Sequence, residues 1–308
     1  MAIINAFNHP TAEADLAVYR KTFHLPPCTT ANGCFRKINQ NGGSTPPLTT
    51  DPDWALESAI DIQAVSAACS GCSGCSGCNI LLIEAQNDMI GALLTAVQQA
   101  RLQGAKFISM SWTDGENSVQ PILDQTYFNH PGIAFVAASG DLGGVVQWPA
   151  VSQYVTAAGG TRLNLVRAPA GSPQAGSGCS QFQPKPPWQT DPLCPRRTSA
   201  DVSAVADSAT GLAIYTTTTT STGETGWLVV GGTSVSSPLI AAIYALAGNP
   251  GPNDGPNSYP YAHRRKFWDI TEGTAGPCSS GTYLCTAFRG YDGPTGVGSP
   301  RGVRGFQP

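Results

Sequence analysis

Charge is what this sequence has least of. Asp, Glu, Lys and Arg make up only 12% of its 308 residues, about half the usual share. The 17 basic residues do not outnumber the 20 acidic ones, and the net charge of −3 offers no positive surface for nucleic acid. No apolar run approaches the ~20 residues of a membrane span, so no membrane partner is expected. Histidine is also scarce: His9, His24, His130 and His263 are the whole supply. The opening MAIINAFN has neither the charged start nor the apolar run of an export leader, so this chain is read as carrying no signal peptide. No linker or long internal repeat divides it, and residues 1–308 read as a single domain and a monomer.

What stands in place of charge is Ser, Thr, 35 Gly and 25 Pro. A polar, uncharged surface changes its charge little in acid. Ten cysteines are present. Six fall in close pairs in short loops: Cys28 with Cys34, Cys179 with Cys194, Cys278 with Cys285. Local pairing of this kind indicates an oxidising compartment, so a secreted protein is expected. The other four, Cys69, Cys72, Cys75 and Cys78, form the run CSGCSGCSGC. An iron–sulfur run would need a longer last spacing and a proline. The even supply favours disulfides, Cys69–Cys78 around Cys72–Cys75, although four cysteines allow three pairings. A closed zinc site of four thiolates is the alternative.

Apolar strand-length runs alternate with helical patterns. Strands are expected at 2–7, 79–85, 105–112, 132–140 and 154–160, and helices at 12–23, 53–68 and 89–104. Asp51 or Asp53 can cap the second helix, and Gly104 ends the third. Strands apolar on both faces, joined by helices, predict a parallel sheet with helices on each side. Residues 162–200, rich in Pro, Gly and Ser, read as a long surface excursion. Residues 212–232 read as two strands around a turn, and 236–248 as a buried helix with Pro238 in its first turn. The tail from 249 to 308 is loop-rich.

Three places could carry chemistry. In GGTSVSSP, Ser234 lies between a strand and a helix N-terminus, where free N–H groups favour a developing oxyanion. A capping serine is the plainer reading. In DWALESAIDIQAV, Glu57 and Asp61 are four apart on one half-buried helix face. Burial and repulsion would raise one pKa, giving a base suited to mild acid. A solvated acidic face is the plainer reading. In SGDLGG, Asp141 follows a strand at the edge where α/β folds build sites, unless it is only a turn residue. A carboxyl that keeps its proton can donate to an oxyanion. No histidine lies in a His-Gly-Thr setting, and Asn5 stands where a subtilisin-type enzyme would want aspartate.

Taken in order, Glu57, Asp61, Asp141 and Ser234 in Gly-Gly-Thr-Ser-x-Ser-x-Pro resemble the sedolisin family, the serine-carboxyl peptidases, and especially its bacterial branch. AEADLAVYRKTFHLPPC, NILLIEA, ADVSAVAD and WDIT…GYDGPTGVGSP extend the resemblance over nearly the whole chain. It implies an α/β, subtilisin-like fold: a parallel sheet flanked by helices on both faces, with a calcium-binding C-terminal loop region. It implies an endopeptidase acting on unfolded protein or peptide substrates in acid. Ser234 would attack the scissile carbonyl, Glu57 take its proton, Asp61 hold Glu57, and Asp141 donate to the oxyanion. Trp112 would line the substrate cleft, if it is not a core tryptophan. One calcium ion would sit on Asp269, Ile270, Phe288, Gly290 and Asp292, with Phe288 where the family has glycine. Family members are made with a large N-terminal prodomain, absent from this sequence, and their catalytic domain usually starts earlier. A pseudo-peptidase that binds without cutting is the rival reading.

Overall fold

A sheet built from strands apolar on both faces must be covered on both faces, and this one is. The computed structural model describes residues 1–69, 78–163, 170–171, 175–276 and 283–308. The sheet strands are β1 (Ala2–Ala6), β2 (Phe35–Asn39), β3 (Ile80–Ala85), β4 (Phe107–Met110), β5 (Ala134–Ala138), β6 (Val155–Arg162) and β7 (Val202–Val205). All seven run parallel, in the order β7-β6-β5-β4-β1-β3-β2, and Ala170–Gly171 adds a short antiparallel rung beside β6. The helices are α1 (Ala12–Thr22), α2 (Pro52–Cys69), α3 (Ile90–Leu102), α4 (Gln120–Tyr127) and α5 (Thr233–Ala247). Alternation along the strands sorts them. Ile3 and Leu82 face Leu16 of α1, Ile62 and Val65 of α2 and Ala242 of α5. Ile4, Ile83 and Met110 face Leu93 and Val97 of α3, with Leu123 of α4 behind them.

Helix α2 starts where its cap dictates. Asp51 Oδ1 accepts from the N–H groups of Asp53 and Trp54, both at 3.0 Å, so Asp51 caps and Asp53 does not. Helix α5 starts three residues before the expected 236. Its N-cap is Gly232, whose φ of +97° suits glycine. Ser234 is therefore a first-turn residue rather than a cap, and Pro238 lies in the second turn rather than the first. Proline has no N–H, so the Ser234 carbonyl lacks its usual partner four residues on. The strands β8 (Leu212–Thr216) and β9 (Gly226–Val230) form the expected hairpin. Gln63 of α2 fixes it by exchanging two hydrogen bonds with the Tyr215 backbone, at 2.7 and 2.8 Å.

The reading of 162–200 as a surface excursion needs correction. From 175 onward the segment packs inward, and Gly178–Cys179 pairs with Thr198–Ser199. Arg197 is fully buried and grips Asp201, at 2.7 Å from Nη1 to Oδ1 and 2.5 Å from Nη2 to Oδ2. Its other bonds reach carbonyls, including those of Thr198 at 2.7 Å and Val155 at 3.2 Å. Asp201 also accepts from the Tyr261 hydroxyl at 2.5 Å and from the Ala157 N–H at 2.7 Å. A charge can be buried when all its partners are supplied, and composition does not show that supply.

Disulfides join Cys28–Cys34, Cys69–Cys78 and Cys179–Cys194. A four-thiolate zinc site is thereby excluded, because two of its ligands are spent on each other. Cys72, Cys75 and Cys278 lie outside the described residues, so the expected Cys72–Cys75 and Cys278–Cys285 pairs do too. No helix among the described residues is long and apolar enough to cross a membrane.

Removing one partner of the buried Arg197–Asp201 pair strands the other charge. Arg197→Ala is expected to lower stability by about 3–5 kcal/mol. The urea midpoint should fall with little change in slope. An unchanged midpoint would mean the pair contributes nothing.

Candidate active site

The site begins on one turn of α2. Asp61 is fully buried. Glu57, one turn earlier, keeps part of its stem exposed, but its Oε1 is buried with no hydrogen-bond partner. Burial pushes the Glu57 carboxyl well above the ordinary range, and the neighbouring Asp61 charge pushes it further. The Ser234 hydroxyl opposes this by favouring the charged form, Asp141 adds a smaller upward push, and the Ser111 hydroxyl weakly opposes it too. Burial also raises Asp61, against hydrogen bonds from Ser111 and Asn5. The solvated-face reading is therefore wrong for this pair.

Two groups that hold Asp61 escape a search for catalytic motifs. Asn5 Nδ2 donates to Asp61 Oδ2 at 3.0 Å and to Ser58 Oγ at 3.2 Å. Ser111 Oγ donates to Asp61 Oδ1 at 2.6 Å. Strands β1 and β4 pair in parallel, Ile3 with Ser109 and Ile4 with Met110. Continued one step, that register sets Asn5 beside Ser111 at the C-terminal end of the sheet, both on the α2 face. The missing aspartate at position 5 is thus an amide that serves a different carboxylate. Its position at the end of a buried parallel strand was the available signal.

Ser234 and Asp141 meet across the N-terminus of α5. The Thr233 N–H donates to Asp141 Oδ1 at 2.8 Å, and Gly140 N–H donates back to Thr233 Oγ1 at 3.1 Å. A side chain at Gly232 would stand 3.0 Å from Asp141 Oδ2, a second reason for glycine there. Asp141 itself is exposed, not enclosed. The Ser234 N–H belongs to the first turn, whose donors have no intrahelical partners. Trp112 directly follows Ser111, but it is only 5% exposed and lies 6.0 Å from the Trp148 ring, within the core. Its Nε1 is buried without a partner.

The histidines lie elsewhere. His9 is buried, with its Nε2 3.8 Å from Asp15 Oδ2, and burial lowers its pKa to about 4. His130 and His263 contact the carbonyls of Thr126 and Tyr259. Among the described residues no histidine is hydrogen-bonded to Ser234, Glu57 or Asp61.

In the C-terminal loops, Gly290 N–H donates to both Asp269 oxygens, at 3.1 and 3.0 Å. Asp292 Oδ2 accepts from Phe288 N–H at 3.0 Å, and its Oδ1 accepts from Thr295 N–H at 2.9 Å and the Thr295 hydroxyl at 2.8 Å. Burial raises Asp292 to about 7, and Asp269 adds to the rise. Among the described residues neither carboxylate has a cationic side chain within ion-pair distance. Two carboxylates without counter-charge, beside loop carbonyls, fit a hard cation that prefers oxygen. Phe288 is not in the left-handed region, so its side chain does not strain the loop; Gly290, at φ +93°, is.

The family model for subtilases matches residues 27–267. Kumamolisin of Bacillus sp. (strain MN-32) is 32% identical over 257 residues, 71% of this chain and 45% of that protein. Sedolisin of Pseudomonas sp. (strain 101) is 31% identical over 180 residues, 50% of this chain and 28% of that protein. This chain therefore spans less than half the length of both relatives. Among solved structures, Pseudomonas sedolisin, a serine-carboxyl proteinase complexed with two molecules of pseudo-iodotyrostatin, superposes with a TM-score of 0.75. That match covers 97% of this chain and 89% of the other at 23% identity. Sphericase superposes at 0.60 with 15% identity, covering 97% and 90% of the two chains. At these identities the two superpositions speak for the fold alone: α/β and subtilisin-like.

Buried carboxyls give stability a direction with pH. Glu57, Asp61 and Glu84 are raised by burial, and Asp124 is raised to about 6. The native state keeps protons that unfolded Asp and Glu release near ~4. Their stabilisation is complete below ~4 and is lost as pH rises toward ~7. His9 acts oppositely, losing stability as pH falls from ~6.5 to about 4. Four groups outweigh one, so the melting temperature should be higher at about pH 5 than at about pH 8. Asp61→Asn should flatten that slope. A melting temperature that rises toward pH 8 would contradict the assignment.

Proposed function

This chain belongs to the subtilase family, and we propose that within it the protein is an acid-active serine-carboxyl endopeptidase cutting unfolded proteins. One observation carries the reading. The Glu57 carboxyl lies under the joint influence of Asp61, Ser234 and Asp141, with no histidine among them. A serine nucleophile needs a base, and here a carboxyl with a raised pKa takes the place of imidazole.

Ser234 Oγ attacks the scissile carbonyl carbon while Glu57 takes the hydroxyl proton. The carbonyl oxygen becomes an oxyanion at the N-terminus of α5, where the Ser234 N–H and, as the resemblance implies, the Asp141 carboxyl donate to it. The tetrahedral intermediate then collapses. Glu57 gives its proton to the departing amine, and an acyl ester remains on Ser234. Water repeats the sequence and frees the acid. Asp61 holds Glu57 and keeps the pair's own proton while Glu57 acts as the base. The chemistry needs the pair to carry one proton between them. Two charges there would repel, and two protons would leave no base.

Asp269, Asp292 and the carbonyls of Ile270, Phe288 and Gly290 would hold one calcium ion, as the resemblance implies. It would supply no catalytic chemistry and would tie two C-terminal loops together. The disulfides suit a secreted enzyme.

Hydrolysis of a denatured protein should peak in acid and fade near neutrality. Ser234→Ala should lower kcat by roughly 10⁴-fold or more, and Asp141→Ala by about 10²–10³-fold. A folded protein with no turnover at any pH would make it a binder with a peptidase fold. Chelation should lower the melting temperature of the parent but not of Asp292→Asn. A melting temperature indifferent to chelator would remove the calcium assignment.

A further inference from the structure

The Ser111 hydroxyl faces acceptors that belong to different parts of the site, and it also gives the Glu57 carboxylate weaker support. Asp61 Oδ1 lies 2.6 Å from its oxygen, and the backbone carbonyl of Ser234 lies 3.4 Å away. The second acceptor is there for a sequence reason. Residue 238 is proline, so the Ser234 carbonyl has no N–H four residues on to satisfy it. One hydroxyl has one hydrogen and can serve either oxygen by turning about its C–O bond, with no heavy atom moving. Asp61 is the sensitive end. It is fully buried, and its two oxygens accept from two neutral donors, Asn5 and Ser111. The titratable groups facing the pair are Glu57 and Asp61 themselves and Asp141, with Asn5, Ser58, Ser111 and Ser234 completing the polar shell.

We propose that Ser111 is the positioning residue that decides which carboxyl of the Glu57–Asp61 pair holds the shared proton. Donating to Asp61, it stabilises the Asp61 carboxylate, and the proton stays on Glu57. Turned to the Ser234 carbonyl, it withdraws that support. The proton then passes from Glu57 to Asp61, and Glu57 is left as the carboxylate that can accept from Ser234 Oγ. No proton enters or leaves the pair. The same turn binds the nucleophile's own backbone, so base and nucleophile are readied together. This inference rests on the proposed peptidase chemistry.

The test is the pH profile of kcat/KM for the parent, Ser111→Ala, Ser111→Thr and Pro238→Ala. Loss of a donor to the charged form makes Asp61 titrate at higher pH. The acid limb of Ser111→Ala should therefore move up by about one pH unit, and Ser111→Thr, which keeps the hydroxyl, should restore it. Pro238→Ala gives the Ser234 carbonyl a competing N–H and pins Ser111 on Asp61. Its kcat should fall several-fold with KM unchanged. If Ser111→Ala does not fold, Ser111→Cys, a weak donor of similar size, should shift the limb in the same direction. An active parent with an unmoved limb in the folded variant overturns this inference alone. An inactive parent overturns it together with the proposed function.

Discussion

Two carboxyls one helical turn apart and largely out of water resist being charged together, and much of the site follows from that. Asp61 is fully buried and Glu57 partly so, at the sheet edge and without a cation. Burying an isolated carboxylate is costly enough that the group keeps a proton instead. A lone proton shared by two unlike sites must settle on one of them. The asymmetry is built from neutral donors: Asn5 and Ser111 donate to the two Asp61 oxygens, while Glu57, whose Oε1 has no partner, is supported only by the Ser234 hydroxyl and, more weakly, by that of Ser111. Contrast Arg197 and Asp201, where the same burial is met by full ionic pairing and hydrogen bonding. That pair has the geometry of a structural clamp. The carboxyl pair has the geometry of a group meant to change its charge.

The fold delivers these groups by ordinary means. Parallel strands end their side-chain ladders at one edge, and there β1 presents Asn5 and the exit of β4 presents Ser111. The helix on that face brings Glu57 and Asp61 over them. Helix α5 then points its N-terminus, with Ser234 in the first turn, at the loop after β5 that carries Asp141. Glycine at 232 lets that loop approach. Helix α2 alone carries two of the four proposed catalytic groups, and its i,i+4 spacing is what makes the carboxyls a pair.

Much of this was legible in the residues. Five of the seven sheet strands and the i,i+4 carboxyls follow from periodicity, whereas β2 and β7 were not expected and capping chemistry alone left Asp51 and Asp53 both open. Other parts were hidden for identifiable reasons. Serine is too common for Ser111 to stand out, and its role depends on a register between β1 and β4 that pairs residues about a hundred positions apart. Asn5 was read as an absent aspartate because comparison with a histidine mechanism asks the wrong question of it. Residues 175–200 have the composition of a surface loop, yet Arg197 is interior because Asp201, itself held by Tyr261, and several carbonyls meet it there. Composition reports average polarity, not whether a given charge finds partners. Trp112 shows the converse: an aromatic at a strand exit is compatible with cleft or core, and here its ring is buried beside that of Trp148.

The scarcity of charge and the character of the site belong together. Surface ion pairs contribute little at the best of times and disappear as carboxylates protonate in acid. A chain with 12% charged residues has few of them to lose. Its buried carboxyls run the other way, because each raised group is most at ease with its proton on. A base made from such a carboxyl works only where the pair holds one proton, on the acid side of neutrality. On the proposed reading, the same burial that would make Glu57 a base of useful strength also makes the native state prefer the medium in which that base would operate. Histidine would break this match. His9, buried with no hydrogen-bond partner for either ring nitrogen, resists the proton that acid offers, and imidazole in the place of Glu57 would be charged and idle in the same medium.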